Sequence, residues 1–218
     1  FKTRAPANWR ELWDTKTFAG QRTLCAGNRG AGGGTWEVAL LADGVPPDKL
    51  YPLDFQRALR SLDRIRPAIL KFWDAGAEPV QLMIDGDVAA GSAWNGRILD
   101  MTAQGAKLGL SWEQGILQWD AWVVPKGARN RENAMKFLAF AARPDRQAQF
   151  AELIAYGPTN ARAYNLIKSD RAKLLPTAPP QRDQQIVQNY DFWAADARPG
   201  VTNDQRATEL WEAWVTKG

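Results

Sequence analysis

The side chains that carry most enzyme chemistry are nearly missing from this sequence. It has no histidine, which removes the commonest general base and metal ligand. Its single cysteine, Cys25, cannot form an internal disulfide or build a thiolate zinc site, and reads as a small buried hydrophobe. No catalytic residue, metal site or cofactor is expected; a carboxylate, Lys or Ser-Lys chemistry, such as that of an α/β transferase domain, stays open as an alternative. What the sequence offers instead is eleven tryptophans. Many stand beside an acid: Trp13 with Asp14, Trp36 with Glu37, Trp73 with Asp74, Trp112 with Glu113, Trp119 with Asp120 and Trp211 with Glu212. An aromatic face attracts a cation, and a neighbouring carboxylate completes a cage for an ammonium group. Most such pairs pack the ring inward and leave the acid in water; a few facing a ligand make a binder.

The other feature suited to ligand contact is the run Gly27 to Gly34, interrupted by Asn28, Arg29 and Ala31. It lies between an apolar strand and a helix, where backbone N–H groups can face an anion. The spacing fits neither the Walker nor the dinucleotide pattern, so a flexible loop competes with an anion nest. Charge argues against nucleic acid: 28 basic residues against 24 acidic ones give a net charge of +4, and the signs are interspersed rather than gathered into a phosphate-tracking block. No apolar run approaches the ~20 residues that span a bilayer, and no basic-then-apolar leader opens the sequence.

These residues need elements to position them. Asn8 followed by Glu11 has capping-box spacing and predicts a helix with Trp9, Leu12 and Trp13 on one stripe. Arg22 to Ala26 reads as a strand, Thr35 to Ala42 as a helix, and Asp54 as the cap of a helix that Pro67 interrupts. A short helix around Gln81 to Ile84 ends at Gly86. Strands are expected over Val88 to Trp94, over Leu108 to Leu110, and over the alternating stretch Gln118 to Val124. Asn130 and Pro144 open two further helices, and Glu209 to Val215 reads as a last amphipathic one. Strands alternating with helices argue for α/β layers.

Six segments in order carry a resemblance. They are Pro6-Ala7-Asn8-Trp9-Arg10-Glu11-Leu12-Trp13-Asp14, Tyr51-Pro52-Leu53-Asp54, Asp85-Gly86-Asp87-Val88, Ala93-Trp94-Asn95-Gly96-Arg97, Trp119-Asp120-Ala121-Trp122-Val123-Val124-Pro125-Lys126-Gly127 and Tyr156-Gly157-Pro158-Thr159-Asn160. Together they resemble the polyamine-type, spermidine/putrescine-like, periplasmic solute-binding proteins of bacterial ABC importers. The resemblance implies a type II periplasmic-binding-protein fold, two α/β lobes closing on a hinge. It puts residues 1–117 in the second lobe and 118–218 in the returning part of the first, whose opening strands would precede this sequence. Lobe two is expected to form alone, the rest to need cover for its sheet edges. A periplasmic location, a membrane permease as partner and a monomeric state are implied with it.

Carried over by position, Trp94 is an aromatic wall of the cleft, Asp120 a carboxylate for a ligand amine, and Tyr156 a third contact. Gln118 stands where the family has a tryptophan, with Trp119 alongside, and Glu37 is the acid nearest a position where polyamine binders are acidic. Gly32, Gly33 and Gly34 replace the acids themselves. Arg97 is a second departure: a guanidinium suits a carboxylate and repels a polycation. Arg97 with Asp120 suits a zwitterion such as γ-aminobutyrate or another ω-amino acid, ahead of putrescine or spermidine; a surface Arg97, or an internal Arg–Asp pair, is the structural alternative. A sensor of the same fold fits the same residues, as do thiamine and phosphonate binding. Ferric iron would call for paired tyrosines, and the four tyrosines here stand apart.

Overall fold

The computed structural model describes residues 4–217. Helix α1 (Trp9–Trp13) is capped by the Asn8 side chain, which accepts from the Glu11 N–H. Strand β1 (Arg22–Cys25) follows, buried at all four positions, then a 3-10 turn over Gly27–Gly32 and helix α2 (Thr35–Ala42). Every residue of α2 is buried, as expected of a helix apolar around nearly its whole circumference. Asp54 caps α3 (Phe55–Ile65) through the Arg57 N–H.

Pro67 ends α3 through a short 3-10 turn, and the chain then enters β2 (Ile69–Trp73), a strand that sequence reading does not expect. Helix α4 (Glu78–Asp85), β3 (Ala90–Gly91) and α5 (Asn95–Ala103) complete this half. The sheet is parallel with order β2-β1-β3, so β1 is central, which accounts for its continuous burial. The expected strand over Val88 to Trp94 survives only as β3. Leu108 to Leu110 forms no strand, and the alternating stretch Gln118 to Val124 is irregular throughout, the paired strand β4 (Ile116–Leu117) ending just before it.

The next unit is helical: α6 (Arg131–Ala141), α7 (Pro144–Leu153), a 3-10 turn at Ala161–Leu166 and α8 (Ser169–Ala172). Its small core gathers Ala148, Ala151, Ala155, Ala163, Ile167, Leu175 and Ala178. Strand β5 (Ile186–Val187) returns to pair in parallel with β4. There follow α9 (Tyr190–Ala194), β6 (Asp196–Arg198), β7 (Val201–Thr202) and α10 (Asn203–Val215), the last opened by a Thr202–Gln205 capping box.

The C-terminal segment packs on the first part of the chain. Trp193, Ala207, Trp211 and Trp214 lie in the core of the first unit, with Leu24, Trp36, Leu40 and Leu62. Trp211 packs edge-on against Phe72 at 4.9 Å and Trp36 at 6.3 Å. Burying these large rings is worth more than leaving them on a separate surface.

Candidate functional site

The site begins with the floor under Trp94. Trp73 is 1% exposed and its indole N–H donates to the Ser92 carbonyl at 2.9 Å, while Ser92 Oγ accepts the Cys25 N–H. That ties β1, β2 and the start of the segment leading to α5. Trp94 stands edge-to-face on Trp73, with ring centroids 5.4 Å apart. A Cβ at Gly76 would come within 2.3 Å of the Trp94 ring, so only glycine leaves the ring its place. On the Trp94 ring lies the Arg29 guanidinium, 5.6 Å from the centroid, its Nη1 donating to the Asp74 carbonyl at 2.8 Å.

Trp94 is the N-cap residue of α5, which puts Arg97 in that helix's first turn, exposed. Tyr156 is brought against the same turn from the helical unit. Asn95 Nδ2 donates to the Ala155 carbonyl at 2.5 Å, and a Cβ at Gly96 would meet the Tyr156 ring at 2.6 Å. The Tyr156 phenol feels three influences. Burial raises its pKa, Arg97 lowers it, and Asp120 raises it. One hydroxyl therefore senses a cation and an anion together. Among the described residues neither the Arg97 nor the Asp120 side chain has a hydrogen-bond or ion-pair partner, and the internal Arg97–Asp120 pair is not formed.

Beside Asp120, Trp119 is 53% exposed and packs on Tyr190 at 4.6 Å. The Tyr190 hydroxyl donates to the Trp119 carbonyl at 3.0 Å. Burial raises the Tyr190 pKa; the Trp119 N–H, which donates to the phenol oxygen at 3.3 Å, opposes it, and Asp120 and Glu37 add to the rise. Gln118 is half-buried and its amide is engaged, donating to the Ala31 carbonyl at 2.5 Å and to Gln188 Oε1 at 3.0 Å.

Glu37, expected as the acid nearest the ligand, lies in the core. It is 0% exposed because it belongs to the all-round buried helix α2. Its Oε1 accepts from Tyr51, Gln188 and Trp193 at 2.7, 2.9 and 2.9 Å, while Oε2 has no partner. Burial lifts its pKa above the usual carboxylate range against those three hydrogen bonds. Its role is to hold Gln188, and through it Gln118, where β4 and β5 leave the sheet pair. The structure thus brings Trp94, Arg97 and Tyr156 together at the start of α5, sets Asp120 within electrostatic reach of Tyr156, and links Gln118 through Gln188 to the buried Glu37. Sequence reading missed Arg29, Tyr190 and Gln188. Among the described residues no group of His, Cys, Asp and Glu could hold a metal ion.

Residues 1–180 match the family described as bacterial extracellular solute-binding protein. The γ-aminobutyric acid-binding protein of Pseudomonas aeruginosa is 35% identical over 98% of this chain, which covers 59% of that protein. The spermidine/putrescine-binding periplasmic protein of Escherichia coli is 27% identical over 87% of this chain, covering 52% of that protein. Among solved structures, an ABC transporter substrate-binding protein from Bradyrhizobium japonicum USDA 110 superposes with a TM-score of 0.89 at 40% identity, over 98% of this chain and 64% of that one. The chain therefore spans only about half to two-thirds of these relatives' length.

Proposed function

The chain belongs to the bacterial extracellular solute-binding proteins and has the α/β fold of ABC transporter substrate-binding proteins, and from that premise we propose that it captures a small ω-amino acid for an ABC importer, performing no chemistry on it. Residues 1–117, joined by the C-terminal segment from Gln188, make one lobe; the helical unit makes part of the other; and the paired strands β4 and β5 are the crossings between them. The ligand lies among Trp94, Arg97, Asp120 and Tyr156. The observation that carries this reading is the meeting of Trp94, Arg97 and Tyr156 at the first turn of α5, with Asp120 within electrostatic reach of the Tyr156 hydroxyl. A ligand with separated charges pairs its carboxylate with Arg97 and its ammonium with Asp120, each a charge-assisted hydrogen bond. The γ-aminobutyric acid-binding relative is consistent with that ligand. The protein works in the periplasm as a monomer and delivers to a membrane permease.

Calorimetric titration with γ-aminobutyrate and putrescine in parallel tests this. Tight γ-aminobutyrate binding is expected, with Arg97→Ala and Asp120→Ala each costing about 2–5 kcal/mol, the range for a buried charge stripped of its partner. Putrescine binding indifferent to Arg97 would move the protein to the spermidine/putrescine class of its Escherichia coli relative. Silence from both ligands would retire the ω-amino acid reading.

A further inference from the structure

Arg29 lies in the glycine-rich run, far in sequence from Arg97, yet it ends on the Trp94 ring. A ring of this kind is the wall an ammonium ligand would use, because its π-face is electronegative. Here a protein guanidinium already takes that role, 5.6 Å from the centroid, held in place by its hydrogen bond to the Asp74 carbonyl. Trp94 itself cannot retreat, with Trp73 on one side and the Gly76 backbone against its benzo edge. An ammonium brought to this ring would meet Arg29 there and Arg97 one helical turn further on.

We propose that Arg29 is a specificity-determining residue of the binding site, making the Trp94 end a carboxylate subsite and barring a second ammonium from it. The inference rests on the reading of the cleft as an amine-binding site, and it adds a direction: carboxylate toward Arg29 and Arg97, ammonium toward Asp120 and Trp119. A guanidinium retains N–H donors beyond the single one engaged by Asp74, so it can hold the carboxylate and keep the ring in place together. Diamines are then refused by repulsion at one end rather than by loss of attraction at the other.

Half-ligands separate the two ends. The indole N–H signals of Trp94 and Trp119 are assigned by Trp94→Phe and Trp119→Phe, then followed by NMR during titration with sodium butyrate and with butylammonium chloride. Butyrate is expected to move the Trp94 signal, with affinity weakened at least about tenfold in Arg29→Gln and largely kept in Arg29→Lys. Butylammonium is expected to move Trp119 in all three proteins, to leave Trp94 still in the parent and in Arg29→Lys, and to reach Trp94 only in Arg29→Gln, where the repelling charge is gone. Arg29 is exposed, so both substitutions leave the core intact. A Trp94 response to butylammonium in the parent, no Trp94 response to butyrate, or an undiminished butyrate response in Arg29→Gln would overturn the proposal. A butyrate response at Trp94 lost in Arg29→Gln, with Trp119 silent to butylammonium, would uphold the Arg29 subsite and sink the amine-site reading beneath it.

Discussion

Two buried groups near the site differ in what their burial does. Cys25 is 0% exposed, and loss of solvation pushes its thiol up to about 12, so at neutral pH it holds almost no thiolate to react. Iodoacetamide at about pH 8 is expected to leave the native protein unmodified and to label it once in urea; prompt native labelling would contradict this burial. Glu37 is raised by the same cause, and the sign for stability follows. The folded pKa exceeds the unfolded one near ~4.3, so its stabilisation is complete below that value and is lost as pH rises through the folded pKa. Glu37→Gln has no proton to lose. Its melting temperature relative to the parent is therefore expected to improve as pH rises from about 4 to about 8, and a constant difference across that range would refute the shift. Cys25 was legible from its type alone. Glu37 was not, because an acid on a short helix is ordinarily left facing water, and only the packing around all sides of α2 encloses it. Arg29 was hidden for a related reason: its meaning is set by a ring that the fold, not the sequence, places under it.

Helices were the legible elements, since their signals are local. Asn8 and Asp54 each cap the residues immediately following them, and Pro144 opens α7 at a position where its missing N–H costs nothing, whereas the last helix begins at Asn203, ahead of the Glu209 expected from its apolar stripe. Strands depend on distant partners. β2 went unseen because Pro67 reads as a break and the strand's outer residues are half exposed, while its pairing with β1 leaves no mark in its own sequence. The stretch from Gln118 alternates like a strand, yet Val123 is 80% and Trp122 62% exposed; alternation there describes a pattern with no core on its apolar side. Helix α10 ties the C-terminal segment to the first core. Trp211 is 4% exposed among Trp36, Phe72 and Trp214, so Trp211→Ala is expected to cost about 3–5 kcal/mol, read from urea unfolding followed at β1 and α2 by hydrogen exchange. A loss below about 1 kcal/mol, small for a core cavity, would mean that the C-terminal segment does not belong to the first core.

At the scale of the molecule, two cores of unequal size are joined by the short parallel pair β4 with β5 and by contacts from the start of α5 to the helical unit. The resemblance read from six segments indicated the family and the two-unit plan; it did not indicate that the C-terminal helices return to the first core, because Trp211 and Trp214 look like any amphipathic stripe until Phe72 is beside them. The site lies where the units touch, at Asn95 on one and Ala155 on the other. Arg97 and Asp120, both exposed, both without a side-chain partner among the described residues and both felt by Tyr156, put a cation and an anion, a local dipole, at that contact. A zwitterion carries no net charge, so a distant protein neither attracts nor repels it strongly. Within about one Debye length, ~8 Å at physiological ionic strength, the field exerts a torque that turns the ligand end-for-end before contact. The rate of γ-aminobutyrate association in stopped-flow is therefore expected to change less than about threefold between ~0.05 and ~0.5 M salt, while a net-charged competitor responds more steeply. A steep salt dependence for the zwitterion would mean that the protein's overall charge, rather than this local dipole, governs capture.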